Sequence, residues 1–122
     1  MREVVWVGPT RTEVRSFPLA VRRSIGIALH AAQQGTMFTN VKPLKGFGGA
    51  GVFEVISDYD GDTYRTVYTV RLETAVYVLH AFQKKSTRGI ATPKRELDLI
   101  RRQLADAERL DALRADRLRA GE

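Results

Sequence analysis

Three β-rich segments follow one another in the middle of the chain, separated only by short turns. The segments are Val52–Asp58, Thr63–Leu72 and Ala75–Gln83. Asp60-Gly61 between the first two is a dipeptide that favours a tight hairpin turn, and Glu73-Thr74 separates the second from the third. Connections this short allow only antiparallel pairing, because parallel strands need a long crossover between them. The sequence therefore predicts an antiparallel meander of three strands.

Helical periodicity lies on both sides of this meander. Before it, Ser16 is predicted to cap a helix that ends at Gly35, with apolar residues at i, i+4, i+7 and i+11. Those apolar residues are Val21, Ile25, Ala28 and Ala32. After the meander, Thr92 is predicted to cap a long helix over approximately residues 93–120, with Pro93 at its first position. Its apolar stripe consists of Leu97, Ile100, Leu104, Ala107 and Leu110.

The remaining segments complete an α+β domain. Glu3–Val7 is predicted as a short first strand that stops at Gly8-Pro9, and residues 36–51 as a loop rich in glycine. The predicted order is β-α-β-β-β-α, with an N-terminal helix, an antiparallel sheet and a long C-terminal helix. A chain of 122 residues suits one domain, and neither a linker nor an internal repeat divides residues 1–122.

The charge of the chain is basic and unevenly placed. Twenty Lys and Arg oppose fourteen Asp and Glu, which leaves a net charge of +6. The predicted C-terminal helix from Lys94 onward carries eight basic and seven acidic residues, so residues 1–93 hold +5 of the +6. A basic body of this kind favours a polyanion such as nucleic acid as the partner.

Composition also bears on location. The chain has no cysteine, which fits a reducing compartment and leaves no disulfide or thiolate chemistry. No apolar stretch approaches the roughly 18 residues of a membrane span, and the first residues do not resemble a signal peptide. We expect a cytoplasmic protein that has no contact with a membrane.

Three further motifs do not predict a cofactor or a metal site. Residues 46–51 match G-x-G-x-x-G, but a strand follows them where a dinucleotide site needs a helix. The segment is therefore interpreted as a loop that enters a strand, and Lys45 is the residue of this loop that we expect to make a functional contact. Residues 58–62 resemble a calcium loop with its glycine misplaced. The two histidines, His30 and His80, are not spaced as zinc ligands, and His30 is expected to be structural. We predict no metal and no cofactor.

Alternation along the second and third strands of the meander predicts a basic face. Arg65 and Arg71 share one side of the second strand, and His80, Phe82 and Lys84 share one side of the third. If both sides face the same way, these residues combine positive charge with an aromatic ring, the combination that binds single-stranded RNA. Each residue alone also fits an ordinary role: Phe82 fits a core position, and the arginines fit exposed strand positions.

Three stretches resemble one known family. They are TYRTVY at residues 63–68, VYVLHAFQKKS at residues 76–86 and TPKREL at residues 92–97. Together they resemble the phage-derived branch of the RelE/HigB toxins in the RelE/ParE superfamily, over about residues 42–107. The resemblance implies a small RelE-like domain and the toxin of a type II toxin–antitoxin pair, which cuts mRNA on the ribosome without a metal by using the 2′-hydroxyl of the RNA. It also implies a helix-turn-helix antitoxin as partner.

Two other functions stay open. ParE-type members of the same superfamily bind a protein target, DNA gyrase, and do not cut RNA. A phage-derived binding module without toxicity is the third alternative. The basic residues at the end of the third strand, together with Arg65, favour the RNA-cleaving toxin.

The resemblance also implies roles for individual residues. Arg65 matches the arginine that clamps the scissile phosphate, and Lys84 lies where the family has a basic residue at the end of the last strand. Lys85 is its neighbour, and crowding of the two cations makes both candidates for proton transfer. RNA binding is predicted for Lys45, Arg71, His80 and Phe82. Glu54 stands on the strand where RelE carries basic catalytic residues. It is therefore a candidate acid or base, a support for an arginine, or a residue without a catalytic role.

Overall fold

The computed structural model describes residues 1–47, 51–84 and 92–121. Its strands are β1 (Glu3–Trp6), β2 (Val41–Pro43), β3 (Val52–Tyr59), β4 (Asp62–Thr69) and β5 (Ala75–Lys84). Its helices are α1 (Thr10–Arg15), α2 (Leu19–Gln33) and α3 (Lys94–Arg119). The strands form one five-stranded sheet in the order β1-β5-β4-β3-β2. Only β1 and β5 pair in parallel, so the α+β class and the antiparallel meander are confirmed. The architecture is that of a small RelE-like domain.

The hairpin between β3 and β4 turns at the predicted dipeptide. Tyr59 pairs with Asp62, so the loop contains two residues. Asp60 has φ of 52° and Gly61 has φ of 82°. A two-residue turn with positive φ at both positions matches the right-handed twist of the strands, and aspartate and glycine are the residues that tolerate it.

Two elements differ from the expectation. Residues 36–51 were predicted as a loop, but β2 lies within them and pairs with the far side of β3. Ser16 was predicted to cap the helix that precedes the meander, and this is wrong. It follows the short helix α1, where its hydroxyl donates to the carbonyl of Glu13, and α2 begins after Pro18. A proline before the first turn starts a helix without a side-chain cap, because its fixed φ suits that position.

The sheet has a core on each side. On one side, α1 and α2 pack on β3, β4 and β5, and all four predicted apolar residues of α2 are buried. On the other side, α3 packs on a second core that includes Val67, Tyr77, Leu79 and Ile100. The described residues contain no helix that is both long enough and apolar enough to cross a membrane.

An irregularity in β5 changes which residues face α3. Val67 of β4 pairs with His80, but the next residue, Tyr68, pairs with Val78. Leu79 is therefore an extra residue in β5, a β-bulge. Leu79 lies in the core under α3, and His80 bonds to a residue of α3, so two consecutive residues of one strand face the same side.

The predicted apolar stripe of α3 is buried at Ile100 and Ala107, but the next buried position differs from the prediction. Leu110, which was predicted to continue the stripe, is 40% exposed, and Asp111 is buried in its place. Both oxygens of Asp111 accept hydrogen bonds from the turn before β5. The donors are the backbone N–H groups of Glu73 and Thr74 and the hydroxyls of Thr74 and Tyr77. Asp111 thereby fastens the second half of α3 to the sheet.

Burial by itself raises the pKa of the Asp111 carboxyl. The hydrogen bonds from Thr74, Glu73 and Tyr77 outweigh this effect and hold its pKa below the ordinary value of 3.8. Because the pKa is lower in the folded than in the unfolded chain, the ionised carboxylate stabilises the fold above the unfolded pKa. That contribution is lost as the pH falls through the folded pKa.

Asp111→Asn should lower the free energy of unfolding at pH 7 by about 2–3 kcal/mol, because an amide nitrogen would then face a backbone N–H donor. Urea unfolding followed by circular dichroism measures the difference. The gap between wild type and variant should be full above the ordinary Asp pKa of 3.8 and shrink below it. Asp116→Asn, on the exposed side of the same helix, is the control and should change stability by no more than about 0.5 kcal/mol. Equal effects of the two substitutions would contradict this role of Asp111.

Candidate functional site

A cleft of about 240 Å³ opens on the α3 side of the sheet. Its walls come from β2 and the residues after it, from β3, and from the start of α3. The lining residues are Lys42, Pro43, Leu44, Lys45, Glu54, Thr92 and Leu97. Lys42 and Glu54 are cross-strand partners in the β2–β3 pair, so their side chains point to the same side of the sheet. The cleft therefore combines basic side chains at its mouth with a carboxylate at its floor.

Glu54 is buried and bonded on both oxygens. It is only 2% exposed, and Arg65 Nη1 donates to its Oε1 at 3.2 Å. The hydroxyl of Thr92 donates to its Oε2 at 3.2 Å, and Lys42 Nζ lies 3.9 Å from Oε1. Glu54 pairs with Val67 across β3 and β4, which places Arg65 at the diagonal position within reach of a long side chain.

Arg65 and Glu54 form a buried ion pair, since Arg65 is only 4% exposed. Taking two charges out of water is costly, and such a pair is tolerated when further hydrogen bonds satisfy it. Thr92 supplies such bonds, because its hydroxyl also lies 3.5 Å from Arg65 Nη1. Lys42, whose side chain is 45% exposed, adds a positive charge on the cleft side.

Thr92 was predicted to cap the C-terminal helix, and this is wrong. The helix begins at Lys94 after Pro93, and no side chain of the described residues caps it. The Thr92 hydroxyl turns to Glu54 instead. The start of α3 is therefore fastened to the floor of the cleft.

A second polar cluster surrounds His80, one strand away from Glu54. The His80 Nε2 lies 2.8 Å from Glu96 of α3, and its Nδ1 lies 3.9 Å from Glu13 of α1. The ring stacks on Phe82 with centroids 5.4 Å apart. Burial raises the pKa of the Glu13 carboxyl, although the charge of His80 and the backbone N–H of Ala81 act against this rise. His80 thus lies between two carboxylates from opposite ends of the chain.

The structure brings most of the predicted site residues to one face. Arg65 pairs with Phe82, and Thr63 pairs with Lys84, so Arg65, His80, Phe82 and Lys84 share the α3 side as expected. They do not form an exposed surface, however. Arg65, His80 and Phe82 are 4%, 6% and 9% exposed. Thr92 contacts Arg65, and Glu96 of α3 and Glu13 of α1 lie beside His80.

Arg71 is the predicted residue that lies outside the paired part of β4. Strand β4 ends at Thr69, so Arg71 lies beyond it, exposed and next to Gly51. It is six residues from Arg65, on the order of 20 Å along an extended chain. Arg71 is therefore distant from Arg65 along the chain, and its part in RNA binding stays a prediction. Lys85 lies outside the described residues.

Two of the predicted site residues line the cleft, and the sequence did not indicate Lys42 beside them. Lys45 and Glu54 both line the cleft, although nothing in the sequence linked them. Lys42 was missed as a site residue because β2 was taken for a loop, which hid its pairing with Glu54. Within the described part of the chain, no group of three or more His, Asp or Glu side chains could hold a metal ion. The absence of a metal from the reaction stays a prediction.

Removing Arg65 alone should destabilise the fold strongly, because the Glu54 carboxylate would stay buried without its main partner. Arg65→Met should lower the free energy of unfolding by about 3–5 kcal/mol. Arg65→Met combined with Glu54→Leu should recover most of that loss, since no buried charge would remain. Chemical denaturation of the two single variants and the double variant measures the coupling. Strictly additive losses would show that the pair is not coupled.

Comparison with known proteins identifies one family. The sequence model of the family described as Phage derived protein Gp49-like (DUF891) matches residues 12–105. The match covers more than half of the chain and spans the whole cleft, from Lys42 to Leu97. A comparison with curated proteins found no match.

Proposed function

This chain belongs to the Gp49-like family of phage-derived proteins, which is a RelE-like, toxin-like family of toxin–antitoxin systems, and on that premise we propose that it is a toxin that cleaves mRNA on the ribosome. The observation that carries the proposal is the buried carboxylate of Glu54 at the floor of a cleft whose mouth holds Lys42 and Lys45. Cations at the mouth suit the RNA backbone, and a carboxylate at the floor suits proton transfer.

Cleavage without a metal needs three groups around one phosphate. A base takes the proton of the 2′-hydroxyl, whose oxygen attacks the adjacent phosphorus and forms a 2′,3′-cyclic phosphate. An acid gives a proton to the departing 5′-oxygen as its bond to phosphorus breaks, and positive charge stabilises the phosphorane between these steps. In our proposal Glu54 takes the first proton, and Lys42 and Lys45 contact the phosphate oxygens.

Lys84 and Lys85 supply the acid in this proposal. Lys84 lies on the same face as Glu54, two residues beyond Phe82 and close to the end of β5. Arg65 lies between Glu54 and Lys84 on that face, where its charge is close to the phosphate. Since Arg65 holds Glu54 directly, we assign it a positioning role in addition to the phosphate contact that the family resemblance implies.

Glu54→Gln should reduce mRNA cleavage by roughly 10²-fold or more, because the amide keeps the shape and loses the proton acceptor. Primer extension on translated messages after induction of the gene measures the cuts. The substitution also leaves the charge of Arg65 buried without a carboxylate, so thermal unfolding of the purified variant should show a lower melting temperature, and cleavage is compared at a temperature where the variant is folded. The control is Arg109→Ala, at an exposed position of α3 paired with Asp106, which should cleave like wild type. Undiminished cleavage by Glu54→Gln would remove Glu54 from the reaction.

Lys42→Ala and Lys84→Ala should separate phosphate binding from proton transfer. Lys42→Ala removes a phosphate contact, so it should weaken binding of ribosome-bound mRNA and make binding less sensitive to salt. Lys84→Ala removes the acid, so it should slow the bond-breaking step by about 10²-fold at saturating substrate. Single-turnover cleavage on purified ribosomes gives both quantities. Intact mRNA together with an SOS response on induction would instead favour inhibition of DNA gyrase.

A further inference from the structure

The side of α2 that faces away from the sheet carries side chains that the fold itself does not use. The buried residues of α2 form one stripe at helical spacing: Val21, Ile25, Ala28, Leu29 and Ala32. The opposite stripe, the outer stripe, consists of Leu19, Arg23, Gly26, Ile27 and His30, and all five are exposed. Leu19 and Ile27 are 51% and 50% exposed. A single exposed apolar residue needs no explanation, so the case depends on what accompanies these two.

Gly26 lies in the middle of α2, on the outer stripe, where glycine weakens a helix. It does so because it loses more backbone freedom on folding than any other residue. A Cβ added at Gly26 would meet nothing within 4 Å, so packing inside the chain does not require a glycine there. A glycine with open space above it does allow another backbone to approach closely.

The charge of α2 indicates which kind of partner binds the outer stripe. Helix α2 contains Arg22 and Arg23 and no Asp or Glu, so the formal charge of the helix is entirely positive. Asp58 of β3 lines a separate cavity with Ala20 and Ser24 on the flank of the helix, away from the outer stripe. Arg23 lies between Leu19 and Ile27 along the outer stripe. Apolar side chains around a cation fit an amphipathic helix with Asp or Glu beside its apolar residues, whereas RNA phosphates would leave Leu19 and Ile27 without partners.

We infer that the outer stripe of α2 is the docking surface for an acidic amphipathic helix of the antitoxin, which crosses α2 at Gly26. The inference rests on the proposed function, since the antitoxin partner comes with it. Helix α2 covers the face of the sheet opposite to α3 and the cleft. An antitoxin helix docked there leaves the mouth of the cleft uncovered, so this contact anchors the antitoxin and does not itself block Lys42 and Lys45.

Gly26→Leu separates folding from docking. Leucine favours a helix and has free space at this position, so the melting temperature of the free protein should rise by roughly 2–5 °C. The same side chain blocks the close approach, so the Kd for the purified antitoxin encoded beside the gene should rise at least roughly tenfold. Titration calorimetry with the full chain measures the Kd. The matched control is Ala112→Leu, which adds the same side chain to an exposed position of α3 and should leave the Kd unchanged.

RNA cleavage by the free variant, measured in parallel, keeps the inference distinct from the function it rests on. Antitoxin binding by Gly26→Leu that equals wild type, with cleavage intact, would overturn the docking surface and leave the proposed function standing. A weakened complex with mRNA left intact by wild type would support the docking surface and reject the nuclease. Unchanged antitoxin binding with weaker binding to purified ribosomes would assign the stripe to ribosomal RNA and overturn the inference. A wild-type chain that binds no antitoxin would overturn it as well.

Discussion

The bulge at Leu79 in β5 is the constraint that lets one strand serve both the core and the candidate site. In regular alternation, Leu79 and His80 would point to opposite faces. The bulge turns both toward α3, so Tyr77 and Leu79 complete the core while His80, Phe82 and Lys84 continue on the same face beyond it. The residues of β5 on the other face are also buried, since Val76, Val78 and Ala81 all lie in the core under α2.

The buried pair of Glu54 and Arg65 is the second constraint, and it links stability to the proposed chemistry. Burial removes water from both charges, which is unfavourable for folding but strengthens every electrostatic contact that remains. The bonds from Thr92 hold the carboxylate in one orientation, with Lys42 on the open side. A carboxylate fixed in this way is already arranged for proton transfer when a substrate enters, which is the condition for catalysis by positioned groups.

Much of the fold was predictable because its signals are local. The Asp60-Gly61 turn, the alternating strands and the inner stripe of α2 each depend on neighbouring residues, and the structure confirms them. Pairing over long distances was not predictable. Strand β2 has three residues and acquires its identity only from β3, and the bulge at Leu79 shows in no residue type. For the same reason the sequence offered support of an arginine as one role of Glu54 but did not show that the arginine is Arg65, and it assigned Thr92 to a helix cap.

Helix α3 keeps its place beside the cleft because polar contacts attach it to the sheet at its start and again in its second half. At its start, Thr92 bonds to Glu54, and Leu97 forms part of the cleft wall. Four turns further on, Asp111 accepts hydrogen bonds from the turn that leads into β5. The family match ends at residue 105, between these two attachments. The first half of α3 therefore builds the site within the part of the chain that the family shares. The second half keeps α3 against the start of β5 by a contact that lies beyond the matched residues.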